Sequence, residues 1–162
     1  MKAITLPQPA ASMVAAGVMP LTVHGYRVEH IGPVAIHAKA ELSVRGRDAC
    51  FRQPLCEALH GLGFGKIEMI PLGGIVGIAE LERTVRVDMF REFLARYDWR
   101  LIDVIGDPKG SNFFFEWRGV IHFDRAIRCS GNTGLWDLPE VVAANVGHLY
   151  AQHRTNMGGG NG

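Results

Sequence analysis

Five polar or aromatic side chains near the start of the chain could together hold a flat heterocyclic base. They are Gln8, Ser12, Thr22, His24 and Tyr26. Such a pocket needs a face to stack on and a few polar groups aimed at the base edge, since unpaired buried donors and acceptors are penalised. Tyr26 could supply the face, and the Gln8 amide could supply a paired donor and acceptor. The neighbouring Arg27 could meet a phosphate.

The same residues also have a purely structural interpretation. Gln8 and Ser12 could cap the first helix, and Tyr26 could simply pack. His37 follows an apolar run, where a lone histidine is more often a hydrogen-bonded structural residue than a catalyst. We nevertheless count His37 and Asn132 with the residues that could touch a ligand, and leave both interpretations open.

No metal or cofactor is expected. The seven histidines show neither H-x-x-x-H nor H-E-x-x-H spacing, and the three cysteines form no C-x-x-C pair. Three cysteines also do not make an even disulfide framework, which favours a reducing cytoplasm. Because no apolar run approaches the roughly 20 residues that span a bilayer, membrane insertion is not expected.

The elements that would position these residues can be predicted from local patterns. Lys2 to Leu6 predicts a strand, and Ala10 to Gly17 a short helix that ends in a glycine. Val34 to Ala38 predicts a buried strand. Residues 39–71 are less regular, with a short helix from Pro54 to Leu62. The glycine-interrupted run Gly73 to Leu81 predicts a strand at a barrel bend.

In the second half of the chain, predicted helices and strands continue to alternate. A helix is expected after Asp88, and a loop from Asp107 to Asn112. Strands are expected over Phe113 to Trp117 and over Val120 to Ile127. Pro139 opens an amphipathic helix with an apolar stripe. The stripe consists of Val142, Val146, Leu149 and Tyr150.

Size and composition indicate one globular domain. The chain has 162 residues, of which 48% are hydrophobic and 20% are charged. We expect a single domain over residues 1–157 and a disordered glycine-rich tail over 158–162. The formal net charge is only +1. Nucleic acid would therefore bind at a local patch or in a pocket, and not on a strongly basic surface.

Four ordered segments resemble the ASCH family, whose members are PUA-like barrels. They are Ile4–Ser12 (the family's opening strand and Q-P-W-A-S helix), Ala16–Val18 (the start of its G-x-K-x-x-E-x-R motif), Gly32–Ala38 (its R-G-P-L-A-I-H-A strand) and Gly131–Trp136 (its G-x-x-G-L-W). The resemblance implies an α+β fold, a small PUA-like β-barrel surrounded by short helices, with a C-terminal helix.

The charged signature of that family is absent from this chain. Counting from Gly17, Met19 stands at the lysine position, Thr22 at the glutamate position and His24 at the arginine position. Ala10 and Tyr26 replace two frequent tryptophans. A fold can be inherited through such changes while the ligand chemistry is not.

The leading function implied is a binding module for RNA, single-stranded nucleic acid or a nucleoside or nucleotide ligand. Contacts are expected from Thr22 to Arg27, from His37 and from Asn132. Two sets of basic residues could add phosphate contacts, although spaced arginines are usually a solvated face. These sets are Lys39, Arg45, Arg47 and Arg52, and Arg118, Arg125 and Arg128.

Two enzymatic alternatives remain open. Some family members resemble amidohydrolases that deacetylate acetylated cytidine with a lysine, a threonine and a later carboxylate. Thr22 matches that threonine, Met19 cannot supply the base, and Asp98 or Glu92 could supply the carboxylate. The second alternative is a ribonuclease in which His24 moves a proton and Arg27 stabilises phosphate charge.

A third class is a protein-interaction domain that has lost its catalytic signature. The apolar face of the helix from Pro139 would then be the contact surface, unless that helix folds onto the barrel. The oligomeric state is left open.

Overall fold

The computed structural model describes residues 1–86 and 113–158, and the fold is built from eleven elements within these ranges. In chain order they are β1 (Lys2–Leu6), α1 (Ala10–Ala15), β2 (Leu21–His24), β3 (Gly32–Ala38), α2 (Val44–Cys50), α3 (Leu55–Gly61), a 3-10 turn (Ile67–Met69), β4 (Gly74–Arg86), β5 (Phe113–Arg128), β6 (Leu135–Asp137) and α4 (Glu140–Gly158).

The strands form one mixed sheet in the order β2-β5-β4-β3-β1-β6. β1 and β3 are parallel, and the other neighbours are antiparallel. Register shifts interrupt the β3–β4 pair once and the β4–β5 pair three times. Such bulges bend and twist a sheet, which here forms a half-barrel. The predicted α+β fold, with short helices around a curved sheet and a C-terminal helix, is confirmed.

Alternate residues of the central strands serve two separate cores, as the period of two requires. Ile36 and Val76 pack on the face covered by α1, α2 and α3. Ala35, Ile75 and Ile78 pack on the opposite face, which α4 covers. The sheet is therefore buried on both sides over much of its length.

The apolar stripe of α4 lies largely within the fold. Val146 is fully buried, and Val142 and Tyr150 pack against the same cluster, while Leu149 is 37% exposed. The C-terminal helix is thus docked on the sheet. Its stripe is not an open surface for another protein.

Several local predictions need correction. Phe113–Arg128 is one strand of 16 residues, not two strands, and Gly119 continues the chain through a φ of +54°. Four elements were missed: β2, α2, the 3-10 turn and β6. The helix α2 carries a recognisable signal, because the Ser43 side chain accepts a hydrogen bond from the Gly46 N–H as an N-cap.

Some predictions lie outside the described residues. They are the helix after Asp88, the loop 107–112, the carboxylate candidates Glu92 and Asp98, and the tail beyond Gly158. Within the described ranges, none of the helices combines the length and apolar character that a membrane crossing needs.

Candidate functional site

Gln8 and Ser12 are joined to each other rather than to an open pocket. Gln8 Nε2 donates to Ser12 Oγ at 2.8 Å and to the Pro71 carbonyl at 2.7 Å, and Gln8 Oε1 accepts from the Ser12 N–H at 3.1 Å. Both side chains are buried. The Gln8 amide therefore fixes α1 to the segment before β4, and both ends of the amide are used within the protein.

Thr22 and His24 belong to a hydrogen-bonded chain that begins at Trp117. Trp117 Nε1 donates to Thr22 Oγ1 at 2.8 Å, and Thr22 Oγ1 lies 2.7 Å from His24 Nε2. Since an indole only donates, the Thr22 oxygen accepts from Trp117 and its own hydrogen is free to go to His24. A neutral imidazole protonated on Nδ1 accepts this hydrogen at Nε2.

The surroundings of His24 favour that neutral form. Its ring stacks on Phe115 with centroids 3.9 Å apart and meets the Tyr26 ring edge-on at 5.4 Å. Burial among these rings lowers the pKa of His24 to about 4. Tyr26 packs edge-on against Phe115 as well, and burial raises the pKa of its phenol.

Arg27 lies outside this cluster of rings. Its side chain is 63% exposed, and its guanidinium is 3.3 Å from a Glu29 carboxylate oxygen. An ion pair this exposed contributes little to stability. Arg27 is therefore a surface residue beside His24, paired with an acidic neighbour.

An open cleft lies elsewhere, where β3 ends. We call it the β3 cleft; its volume is about 710 Å³. Its lining includes Thr5, His37, Lys39, Arg128, Gly131 and Asn132. These residues come from β1, β3, the end of β5 and the loop before β6, so the sheet brings together segments that are far apart in sequence.

His37 forms the floor of the β3 cleft and is only 1% exposed. Its Nε2 lies 3.0 Å from the Cys129 carbonyl, which can only accept, so Nε2 carries the proton. Burial lowers the pKa of His37, and the hydrogen bond to Cys129 partly opposes that shift. The Nδ1 atom is then a bare acceptor, buried and without a hydrogen-bond partner in the described residues.

Gly131 covers His37 closely. A Cβ atom at this position would lie 2.5 Å from His37 Cε1, 2.7 Å from His37 Nδ1 and 2.9 Å from Thr5 Oγ1. Thr5 Oγ1 also accepts from Trp136 Nε1 at 3.2 Å. Trp136 is half-buried on the edge strand β6 and holds the Thr5 hydroxyl in place.

Among the described residues, the charged side chains that line the β3 cleft are Lys39 and Arg128, and none of them is a carboxylate. Both side chains are exposed, and neither has an ion-pair partner in the described part of the chain. Asn132 Oδ1 accepts from the Thr133 N–H at 2.8 Å, which leaves the Asn132 amide N–H groups to donate. The cleft therefore offers positive charge and donors, as an anion requires.

The predicted basic sets are divided by the structure. Arg128 and Lys39 come from different sets and meet in the β3 cleft. Arg118 is instead paired with Glu82 and Glu116. Arg45 lines a cavity of about 60 Å³ beside Gln8, which is too small for a nucleotide.

The predicted site residues do not all meet at one place. His24 pairs with Phe113 at the start of β5, and Phe113 pairs with Arg86 at the end of β4. His37 pairs with Ile75 at the start of β4. Ile75 and Arg86 are eleven positions apart, so at roughly 3.3 Å per residue they lie at most about 36 Å apart along β4.

Sequence inspection missed Thr5, Gly131 and Trp117. Gly131 and Trp136 stand in a recognised motif, but the sequence does not say what the glycine touches. Thr5 lines the β3 cleft from β1, and the strands that pair with β1 are distant from it in sequence. Within the described residues, no three His, Cys, Asp or Glu side chains are grouped as metal ligands.

Comparison with known proteins identifies the fold. No protein-family model and no curated protein matches the sequence. Among solved structures, a crystal structure of ASCH from Zymomonas mobilis matches with a TM-score of 0.55 and 13% identity, covering 91% of this chain and 94% of that one. A tyrosine-to-phenylalanine variant of that protein gives 0.55, with 96% of its chain covered, and a serine-to-alanine variant gives 0.54, with 94% covered; both are 13% identical and cover 91% of this chain. The resemblance to the ASCH fold predicted from the sequence is therefore confirmed.

Proposed function

We propose that the protein binds RNA, or a nucleotide unit of it, in the β3 cleft. One observation carries the proposal: among the described residues, the β3 cleft is lined by two cations and no carboxylate, beside hydroxyl and amide donors. Lys39 and Arg128 suit a phosphate, and Asn132 suits a sugar or base edge. The ASCH fold of the structural neighbours agrees with a binding module, although fold alone does not set function.

A thermal-shift screen against nucleosides, nucleotides and short single-stranded RNA and DNA tests the proposal, because a ligand that favours the native state raises Tm. We expect shifts with phosphorylated ligands and not with free nucleosides. Arg128→Gln with Lys39→Gln should weaken nucleotide binding by about tenfold per lost charge, at about 1.4 kcal/mol for each.

Arg52→Gln is the control for loss of one positive charge, because Arg52 is also exposed but lies outside the cleft. The affinity of the Arg52→Gln variant for nucleotides should equal that of the unchanged protein. Equal loss in both variants would show that only overall charge matters. Absence of any shift across the whole screen would overturn the proposal.

A hydrolase at Thr22 is the second candidate, favoured by one distance. His24 Nε2 lies 2.7 Å from Thr22 Oγ1, so a neutral imidazole stands where a general base must stand to activate a hydroxyl. His24 would take the place of the base that Met19 cannot provide. Thr22 is only 2% exposed, however, and for that reason we favour the open β3 cleft as the ligand site.

Release of acetate from acetylated cytidine tests this candidate. Thr22→Val should abolish turnover and Thr22→Ser should retain part of it, with folding of both verified by circular dichroism. Turnover that survives in Thr22→Val, or no turnover by the unchanged protein at high concentration, would exclude the Thr22 mechanism.

The ribonuclease alternative gains less from the geometry. Cleavage of a phosphodiester needs a proton acceptor and a proton donor. With a pKa of about 4, His24 is neutral near pH 7 and can serve only as the acceptor. Arg27 faces Glu29 instead of a phosphate site.

A further inference from the structure

A second cavity opens beside the β3 cleft, and the two share part of their walls. We call it the side cavity; its volume is about 510 Å³. Ala40, Gly73 and Arg128 line both spaces, while Glu68 and Met69 line the side cavity alone. Each space lies in the range of roughly 300–1,000 Å³ typical of small-ligand sites. Together they exceed what one nucleotide needs.

The boundary between the two spaces is low. Ala40 carries a single methyl group, and Gly73 carries no side chain and adopts a φ of +64°. The Gly73 N–H donates back to the Ala38 carbonyl at 3.0 Å, which holds this turn against the end of β3. A bound chain could therefore pass over Ala40 and Gly73, with Arg128 beside it.

The chemistry differs on the two sides of that boundary. Arg128 stands between them, and Lys39 lies on the side of the β3 cleft. The side cavity adds an apolar side chain, Met69, which is 54% exposed, and a carboxylate, Glu68. Methionine can lie flat against a ring, and a carboxylate accepts from base amino or imino groups. A phosphate fits at Arg128 and a base fits beyond it.

From these contacts we infer that the β3 cleft and the side cavity form one groove for two consecutive nucleotides of a single strand. The phosphate between them lies at Arg128, one nucleotide occupies the β3 cleft, and the next base lies against Met69. This inference rests on the proposed function and specifies its ligand as a strand of at least two nucleotides instead of a free nucleotide.

The test compares 5′-phosphorylated mononucleotides with the corresponding homodinucleotides pApA, pCpC, pGpG and pUpU by titration. We expect at least one dinucleotide to bind tenfold or more tightly than its mononucleotide. Met69→Ala should remove most of that gain and leave mononucleotide affinity unchanged. Phe51→Ala is the matched control, since Phe51 is a 69% exposed apolar side chain that lines neither space.

The outcomes separate this inference from the proposed function. Equal affinity for mononucleotides and dinucleotides would overturn the two-nucleotide groove and leave nucleotide binding in the β3 cleft intact. A dinucleotide gain that Met69→Ala does not reduce would also overturn it, because the second base would lie elsewhere. If neither ligand binds, the proposed function falls, and this inference falls with it.

Discussion

At the scale of single residues, two tryptophan indoles determine what two threonine hydroxyls can do. Trp117 donates to Thr22, and Trp136 donates to Thr5. Each indole occupies a lone pair of its threonine and leaves the hydroxyl hydrogen to another acceptor. Thr22 can donate that hydrogen to a His24 ring protonated on Nδ1, whereas Thr5 lines the β3 cleft and can donate its hydrogen to a ligand.

The pH dependence of stability should report the buried His24. Its folded pKa of about 4 lies below the ordinary 6.5, so the unfolded chain binds more protons between these values. The resulting stability is complete above pH 6.5 and is lost as pH falls toward 4, at a cost of about 3 kcal/mol. Chemical denaturation at several pH values measures this loss.

His24→Phe is the comparison that isolates His24, since it keeps a ring against Phe115. The variant should lose less stability than the unchanged protein between pH 7 and pH 4. Burial also lowers the pKa values of His37 and His122. The free energy of unfolding of both proteins should therefore still fall as the pH falls. An identical pH dependence in the two proteins would show that His24 titrates normally.

At the scale of elements, β4 is the strand that connects the β3 cleft with the region around Thr22 and His24. Its first residues lie beside the β3 cleft, and its last residues lie beside β5 where Thr22 and His24 pair. Glycine allows β4 to approach its neighbours closely. A Cβ at Gly77 would lie 2.3 Å from the Ile121 carbonyl oxygen and 2.8 Å from Ala15 Cβ.

Gly77→Ala should therefore destabilise the protein, because backbone of β5 and the helix α1 must both move. We expect a loss of about 1–3 kcal/mol in the free energy of unfolding, as for overpacking in a core. Gly61→Ala is the control within α3, where a Cβ meets nothing within 4 Å and alanine favours helix. Thermal unfolding measures the Tm of the two variants. Equal Tm values for Gly77→Ala and Gly61→Ala would contradict the close packing of β4.

At the scale of the whole molecule, charge is nearly balanced and its placement matters more than its total. The net charge of +1 gives little long-range attraction for nucleic acid. Arg118 is neutralised by acidic neighbours, while Lys39 and Arg128 meet in the β3 cleft without such partners in the described ranges. Attraction for phosphate is thus local.

The salt dependence of RNA binding should be correspondingly shallow. Each phosphate contact to a single strand contributes a slope of about −0.7 to log K against log salt, so two cations give a slope of about −1.4. Arg128→Gln should reduce this slope by about half. A slope several times steeper would place the main contacts on other arginines, and no slope would indicate a neutral ligand.

The sequence by itself determined the elements whose signals are local. Gly17 ends α1 with a φ of +75°, as a glycine after a helix predicts, and the apolar run before His37 is a buried strand. The ordered motifs also predicted the ASCH fold. Short elements were missed, because four residues of β2 or three of β6 become a strand only through partners that pair with them.

Only the tertiary structure decided which candidate side chains share a site. Gln8, Thr22 and His24 are close in sequence, but they do not form one open site. The Gln8 side chain is hydrogen-bonded to Ser12 and Pro71, and the Thr22 hydroxyl is hydrogen-bonded to Trp117 and His24. Lys39 and Arg128 are far apart in sequence and line one cleft. The physical reason is that a sheet pairs segments across long sequence separations, and buried donors and acceptors take whichever partner the fold brings within reach.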